Sequence, residues 1–469
     1  MDSEELYLRL PVSFQNLVCS MQGWRIQRRR FGGKFHECLR DAEERLTWTP
    51  ERFVAFRDAR LRAFVGACVR QVAYYRRLFR ERGIDPNDIR TLEDLRVLPV
   101  LTKALIQERT DEMTSEGVAA EERVPVHTSG TTGGGMQFFT TRGALQEQYS
   151  IWWRYFRLHG LRLGTWCGYF GGRSVVPLRQ SRPPFWRRNR PGRQILFSAY
   201  HLSPETAPHY VAELRRSRPP WLHGYPSILA LLAGLLSERG ETLGYTPRWI
   251  TTGAENLMPH QAGVIRETFG RSPIQHYGMA EAVANFFQCP AGALHVDEDF
   301  AAVEFLPVTG EKGLRVVGTN LSNPAMPLLR YDVGDRVELA AGACACDLPG
   351  RVIACVDGRQ EDYVILSNGA RLGRMDHIFK DMTAIREAQI IQKAPGRIVV
   401  RIVRHPRYSE NDATRLLAEF RKRVGDLAEV RLEYLERLPR SGNGKLRFVI
   451  SETAEGRLVD ARLSGARQG

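Results

Sequence analysis

The chain has 469 residues, 43% hydrophobic and 26% charged, which excludes an intrinsically disordered protein and allows a large core spread over two or three domains. Its formal net charge of +14 points to anionic partners, whether nucleotide, CoA-like phosphates, nucleic acid or a membrane surface. Eight cysteines are sparse for this length and no apolar run approaches about 18 residues, so a cytoplasmic protein without a secretory leader or a membrane-spanning helix is expected. Residues 1–100 read as a helical lead-in. A short amphipathic helix over 13–21 (Phe14, Leu17, Val18, Met21) ends near Gly23, and Arg25, Arg28, Arg29 and Arg30 follow. No aromatics alternate with these arginines in a stacking pattern, so they read as a solvated face and nucleic acid is not an expected partner. Helix periodicity runs over 49–82 with a proline just inside its start, and 85–88 is a capped turn.

Residues 127–135, His-Thr-Ser-Gly-Thr-Thr-Gly-Gly-Gly, lie between apolar stretches around Val124 and Phe138. That is strand, Gly-rich loop, strand. Glycines allow close backbone approach to a ligand, and successive N–H groups with Ser and Thr hydroxyls form a nest for phosphate oxygens. The Walker pattern G-x-x-x-x-G-K-[ST] is absent. Residues 140–320 alternate helical and strand-like patterns, as an α/β domain does. A helix is expected over 144–156 and another over 228–236, the latter capped by Ser227. The tract from Arg179 to Arg193, punctuated by Pro183, Pro184 and Pro191, reads as a loop that either clamps an anionic ligand or stands as an exposed insert. Strands over 249–255 and 273–281 each deliver a carboxylate, Glu255 and Glu281, to a strand end, where open α/β sheets bind ligands. Asp332 and Asp335 flank a turn. Strands over 388–392, 398–403 and 430–435 with a helix over 411–423 form a compact terminal module. Its boundary is expected near 357/358, dividing the chain into 1–357 and 358–469.

Cys289-x5-His295 and Cys344-x-Cys346 supply three sulfurs and one nitrogen, the donor set of a tetrahedral structural zinc site. The competing reading is three ordinary small cysteines and a surface histidine. Ala343 and Ala345 leave little apolar bulk around these cysteines, which makes them poor core residues.

Taken together and in order, these stretches resemble the adenylate-forming superfamily of acyl-CoA ligases, peptide-synthetase adenylation domains and luciferases. The resemblance covers nearly the whole chain. It is nearest to the phenylacetate–CoA ligase branch and, more narrowly, to ligase-like proteins of capsular polysaccharide biosynthesis, through residues 10–17, 198–203 and 224–227. It implies an α/β fold with a large N-terminal adenylate-forming domain of β-sheets and packed helices and a small mobile α+β C-terminal domain. It also implies roles. Thr128, Ser129, Gly130, Thr131, Thr132 and Gly133 match the phosphate loop. Gly253, Ala254 and Glu255 match the adenine-pocket wall. His276, Tyr277, Gly278, Met279 and Ala280 match the AMP segment, with Tyr277 near adenine. Glu281 would hold Mg²⁺, Asp335 would grip the ribose, and Arg359 would reach ribose or phosphate. Glu361 would be the hinge and Lys445 the adenylation lysine. Tyr225, Thr252 and His276 would wall the acid pocket.

The activity implied is ATP-dependent activation of a carboxylic acid as an acyl-adenylate, then transfer to a thiol such as CoA. The alternative acceptor is an amine on an amino sugar or amino acid, or the acid is a small oxyacid such as nitrite and CoA is not used. Three departures from the pattern stand out. Gly134, Gly135 and Met136 replace the usual Pro and Lys after the loop. Ala280 replaces a Thr or Ser, and Glu361 replaces an Asp or Lys. The carboxylate, the ribose Asp and the lysine remain, so an active enzyme is expected rather than a basic scaffold. The oligomeric state is left open, a dimer included.

Overall fold

The computed structural model describes residues 3–127, 136–255, 257, 259–307, 313–357, 364–372, 375–379, 382, 384–404, 407–436, 438 and 449–453. The lead-in is helical, as expected: α1 (Ser3–Arg9), α2 (Val12–Phe31), α3 (Phe35–Arg45), α4 (Pro50–Gln71), α5 (Ala73–Arg82), α6 (Lys103–Glu108) and α7 (Thr110–Met113). Two expectations are corrected here. Gly23 does not end a helix, because α2 runs on through it and takes in the arginines. A Cβ at Gly23 would sit 1.9 Å from the Asn189 side chain, so this glycine serves close packing. The expected helix over 49–82 is two helices. Thr49 caps the first, accepting from the Arg52 N–H, and the extended backbone of Val72 (φ −126°, ψ 118°) breaks the run.

Strands β1 (Arg123–His127) and β2 (Gln137–Thr141) pair antiparallel, with His127 opposite Gln137. The Gly-rich segment 128–135 lies between those paired ends and outside the described residues. Helix α8 (Arg142–Leu158) follows, capped by Thr141. Next come β3 (Cys167–Phe170), β4 (Trp186–Asn189), β5 (Gln194–Phe197), α9 (Ala207–Ser217), β6 (Trp221–Gly224), α10 (Pro226–Glu238), β7 (Trp249–Thr252), α11 (Pro259–Phe269), β8 (Ile274–Gly278), β9 (Asn285–Gln288), β10 (Leu294–Val296), β11 (Ala301–Pro307), β12 (Leu314–Asn320), β13 (Tyr331–Leu339) and β14 (Val352–Asp357). Three further corrections arise. The basic tract contains a regular strand, since β4 pairs antiparallel with β5. Tyr225, not Ser227, stands at the cap position of α10, and Pro226 opens the helix with no side-chain cap. Asp332 and Asp335 do not flank a turn but lie within β13, which Gly334 (φ 78°) lets continue.

Strands β3 to β14 form one sheet in the order β11-β12-β13-β14-β10-β9-β8-β7-β6-β3-β5-β4. From β5 through β3, β6 and β7 to β8 the neighbours are parallel, and from β8 onward they are antiparallel. The parallel strands deliver their C-terminal ends to one edge, and β8 is where the direction changes. Two hydrophobic clusters pack this sheet. One joins α4 and α5 to the antiparallel half through Leu61, Val65, Phe286 and Val316. The other joins α9 to α11 to the parallel half through Leu214, Leu232, Ile250 and Ile265.

The terminal module holds β15 (Val364–Ile365), β16 (Arg371–Leu372), β17 (Ile385–Ala394), β18 (Arg397–Arg404), α12 (Glu410–Val424), β19 (Glu429–Tyr434) and β20 (Val449–Ser451). Its sheet runs β19-β18-β17-β20. Helix α12 opens with a reciprocal box between Ser409 and Asp412 and buries Leu416, Phe420 and Val424 against Ile390, Val400 and Ile402. Residues 358–363, where the boundary and Glu361 were expected, lie outside the described residues.

Gly318 on β12 fixes how closely the segment after β8 approaches the sheet. A Cβ there would lie 2.2 Å from the Val283 carbonyl oxygen, a backbone atom that cannot swing away. Gly318→Ala is expected to lower unfolding free energy by about 1–3 kcal/mol in chemical denaturation. An unchanged midpoint would contradict this packing.

Candidate active site

Four C-terminal ends of parallel strands meet on one edge of the sheet. They carry Gly171 and Gly172 after β3, Tyr225 after β6, Gly253, Ala254 and Glu255 after β7, and Gly278 to Glu281 at the end of β8. Tyr225 packs over Gly172, where a Cβ would come within 2.9 Å of its hydroxyl oxygen. Ala254 and Ala282 both adopt positive φ (68° and 57°), so the chain turns sharply after each strand. Thr252 is buried and its hydroxyl donates to the Ile274 carbonyl at 3.3 Å, tying β7 to β8.

At the direction change, Tyr277 on β8 stacks on its cross-strand neighbour Phe286, with ring centroids 4.5 Å apart and planes 16° apart. Its hydroxyl donates to Oδ2 of Asp335 on β13 at 2.8 Å. Two residues 58 positions apart in sequence, one expected at adenine and one at ribose, are thereby in direct contact.

Behind Tyr277 runs a buried polar chain. Trp152 Nε1 donates to Asn285 Oδ1 at 2.9 Å, and His276 Nε2 lies 2.8 Å from the same oxygen. Asn285 Nδ2 donates to Asp297, which also pairs with Arg154. Arg154 in turn binds Asp299 at 2.7 Å, and Arg45 reaches Asp299 at 2.6 Å. Because Trp152 can only donate and Asp297 accepts from the other end of the amide, Oδ1 of Asn285 is an acceptor. His276 therefore carries its proton on Nε2 and leaves Nδ1 as an acceptor. Burial pushes the Asp297 carboxyl up against the pull of Arg154. Burial opposes the charge of Asp299 too, but Arg154 and Arg45 outweigh it and hold that carboxyl low.

The other histidine beside the strand ends is the half-buried His223 on β6, whose Nδ1 meets Thr251 Oγ1 at 2.8 Å while Trp221 Nε1 donates to the same hydroxyl at 2.8 Å. Tyr169 faces His223 at 5.5 Å and Trp152 faces His276 at 5.5 Å. This wall of Trp152, Tyr169, His223 and His276 stands beside the strand ends. Its residues come from α8, β3, β6 and β8, so no sequence spacing linked them, and only His276 among them was expected at the site. Gly278 is the close approach within it: a Cβ would fall 2.7 Å from Asn285 Oδ1 and 2.8 Å from the His276 ring. Gln148 on α8 donates to the Met279 carbonyl at 2.8 Å, and Asn320 donates to the Glu281 carbonyl at 3.3 Å, so the segment bearing Glu281 is held by its backbone. Glu281 is half-buried and Ala280 exposed.

The expected metal ligands also converge. Donor atoms of Cys289, His295, Cys344 and Cys346 all lie within 4.8 Å of one another. Cys289 follows β9 in a tight turn closed by the Ala293 carbonyl, and His295 stands on β10, stacked on Phe287 at 5.5 Å. Cys289 and Cys344 sulfurs are 3.7 Å apart, and Cys346 Sγ is 3.3 Å from His295 Nε2. Cys355 on β14 is exposed and stands outside this group. Residues 128–133, Arg359, Glu361 and Lys445 lie outside the described residues.

Residues 365–452 match the family model described as the CapK C-terminal domain. Protein CapK of Staphylococcus aureus is 24% identical over 459 residues, 95% of this chain and 98% of CapK. Phenylacetate-coenzyme A ligase of Thermus thermophilus is 28% identical over 348 residues, 67% of this chain and 72% of that enzyme. The solved structure of 2-hydroxyisobutyryl-CoA ligase, in complex with 2-HIB-AMP and CoA, superposes with a TM-score of 0.56 at 19% identity, over 90% of this chain and 94% of that one. By sequence CapK and the phenylacetate-coenzyme A ligase are homologues of the chain. Its fold is that of the adenylate-forming ligases.

Burial holds His223 and His276 neutral down to about 4, whereas the ordinary value is 6.5. Between those values the unfolded chain binds more protons than the folded one. The stability this represents is complete above about pH 6.5 and is lost as pH falls towards 4. The urea midpoint of the wild type should decline through this window, and His223→Asn should flatten the decline. Equal slopes for the two proteins would contradict the assignment. Gly278→Ala should reduce turnover about tenfold or more, because the added methyl would meet Asn285 Oδ1 and the His276 ring and displace the wall.

Proposed function

We propose that the protein is an AMP-forming ligase that activates a carboxylic acid with ATP and passes the acyl group to a thiol of the CoA type. A carboxylate oxygen attacks the α-phosphorus of ATP, the α–β phosphoanhydride bond breaks, and pyrophosphate leaves. A thiol sulfur then attacks the acyl carbon of the adenylate, loses its proton, and expels AMP. The observation that carries this reading is the Tyr277–Asp335 contact beside the C-terminal ends of the parallel strands, the edge where open α/β sheets bind ligands. Tyr277 on Phe286 presents a flat platform for a base, and Asp335 presents carboxylate oxygens to sugar hydroxyls. The protein named phenylacetate-coenzyme A ligase and the structure with 2-HIB-AMP and CoA support acid activation and a thiol acceptor.

In this reading Gly253, Ala254 and Glu255 border the adenine, and Tyr225, Thr252 and His276 stand on the acid side. The neutral His276, with Nδ1 as an acceptor, suits a hydrogen-bonding acid better than a second anion. Glu281 would hold Mg²⁺, which supplies charge neutralisation to the phosphates. The nest of residues 128–133 would hold the leaving pyrophosphate, and Lys445 would neutralise the carboxylate and the α-phosphate. Arg359 would reach ribose or phosphate, and the C-terminal module would turn about Glu361 between the two half-reactions.

Pyrophosphate release with a panel of carboxylic acids, each with and without CoA, tests the reading. Acid-dependent release with CoA-dependent AMP formation is expected. AMP formation driven by an amine would assign an amine acceptor, and nitrite-dependent AMP formation without CoA would assign an oxyacid substrate. Lys445→Ala should cut acid-dependent ATP–pyrophosphate exchange by about 100-fold or more while ATP still binds. Exchange at the wild-type rate would refute the role of Lys445.

We also propose that Cys289, His295, Cys344 and Cys346 hold a structural zinc ion. Tetrahedral Zn–S bonds of about 2.3 Å place sulfurs about 3.8 Å apart, and Cys289 and Cys344 stand at 3.7 Å. His295 Nδ1 donates to the Pro349 carbonyl at 3.3 Å, which leaves Nε2 as the ligand atom and gives it an outer-shell partner. The ion would tie the β9–β10 hairpin to the loop between β13 and β14. Metal analysis should find about one zinc per chain, lost in Cys344→Ser/Cys346→Ser together with a lower melting temperature. Less than about 0.1 zinc per chain, on protein never exposed to chelator, would sink the site.

A further inference from the structure

Nine large hydrophobic side chains are exposed among the described residues, and six of them (Leu6, Phe14, Leu17, Val18, Met21 and Trp24) sit on α1 and α2. Phe14, Leu17 and Met21 are each more than half exposed. At about 100° per residue Phe14, Leu17, Val18, Met21 and Trp24 share one face of α2, and Gln15, Cys19, Gly23, Ile26 and Arg30 share the opposite one. The polar face is the one turned inward. Gln15 is buried, accepts from Arg187, and donates to the Tyr7 carbonyl at 3.2 Å. Asn16 accepts from the Arg188 N–H at 2.7 Å, Ser20 accepts from the Arg190 N–H at 3.2 Å, and Gly23 lies against Asn189. These bonds to β4 and its flanks fix the rotation of the helix, so turning the apolar face inward would break every one of them. Loose packing does not account for the exposed stripe.

The charge beside the stripe selects its partner. The 20 residues of α2 include four arginines and no Asp or Glu. Arg25, Arg28 and Arg29 are exposed at the end that carries Trp24, and the Arg28 guanidinium lies 4.8 Å over the Trp24 ring. Apolar side chains fill this face over the first half of α2, and Trp24 with Arg25 and Arg28 continues the same face towards its end, a pairing of apolar and cationic groups suited to a lipid interface. The apolar groups enter the acyl boundary and the arginines meet phosphates. No helix among the described residues is long and apolar enough to cross a membrane. A second copy docked face to face would bury these arginines with no carboxylate on α2 to pair them.

We propose that α2, with Leu6 of α1, docks this protein onto the surface of an anionic lipid bilayer. The proposal does not depend on the ligase reading. The test is co-sedimentation of the full chain with vesicles of phosphatidylcholine alone and of phosphatidylcholine mixed with phosphatidylglycerol. Binding to the mixed vesicles is expected, weaker in high salt, with little to phosphatidylcholine alone. Leu17→Ser/Met21→Ser keeps the charge and the polar dock, so it should melt as the wild type does yet partition about tenfold less. Three results would overturn the proposal. One is no sedimentation with mixed vesicles. Another is equal sedimentation of the double variant, which would leave only the general attraction of a cationic chain. The third is a wild-type dimer by light scattering that the double variant breaks without any vesicle binding, which would assign the stripe to a second copy.

Discussion

Arg154 is fully buried and is held by two carboxylates, Asp297 and Asp299, that come from the turn after β10. Removing either partner of such a buried pair costs about 3–5 kcal/mol, because a charge is left unpaired in low dielectric. The consequences reach the surface of the sheet. Asp297 orients the Asn285 amide, which orients His276 and Trp152 and so sets the wall beside Tyr277. Arg45 on α3 joins the same cluster at Asp299, so the helical lead-in, α8 and the antiparallel half of the sheet share one electrostatic anchor. A site built on strand ends needs that anchor, since strand ends alone do not hold side chains in register.

The hairpin of β9 and β10 carries two loads. One side pairs with β8 and faces Tyr277 across Phe286, and its turn and second strand carry Cys289 and His295. The metal proposed there would brace the hairpin from the far end while the Arg154 cluster braces it at Asp297. Phosphate-loop and hinge chemistry would be supplied from either flank, by residues 128–133 and by the terminal module. The inverted amphipathicity of α2 is a separate feature of the same chain, held through the strand β4 that edges the sheet.

Much of this was legible in the sequence for identifiable reasons. Long periodic helices such as α4 and α8, and the strands and helix of the terminal module, follow from apolar spacing. The paired strands on either side of residues 128–135 follow from the apolar stretches around Val124 and Phe138. The grouping of Cys289, His295, Cys344 and Cys346 was readable because soft donors are rare and each pair is closely spaced. The misreadings have physical causes. Gly23 mimics a helix stop but is selected by its contact with Asn189. The prolines around Arg187 mimic a loop, yet β4 is an edge strand with β5 as its one neighbour in the sheet, where flanking prolines are tolerated. Gly334 mimics a turn but serves a strand. Trp152, Asn285, Asp297 and Arg154 could not be found from spacing, because separate elements of the fold bring them together.

In the proposed reading Tyr277 and Asp335 form an adenosine pocket. Calorimetric titration of Mg·ATP into the wild type and into Asp335→Ala tests it most directly. Loss of charge-assisted hydrogen bonds to the sugar should weaken binding by about ten- to a hundredfold in the variant, with the melting temperature of the free protein nearly unchanged. Equal affinity in the two proteins would contradict the account.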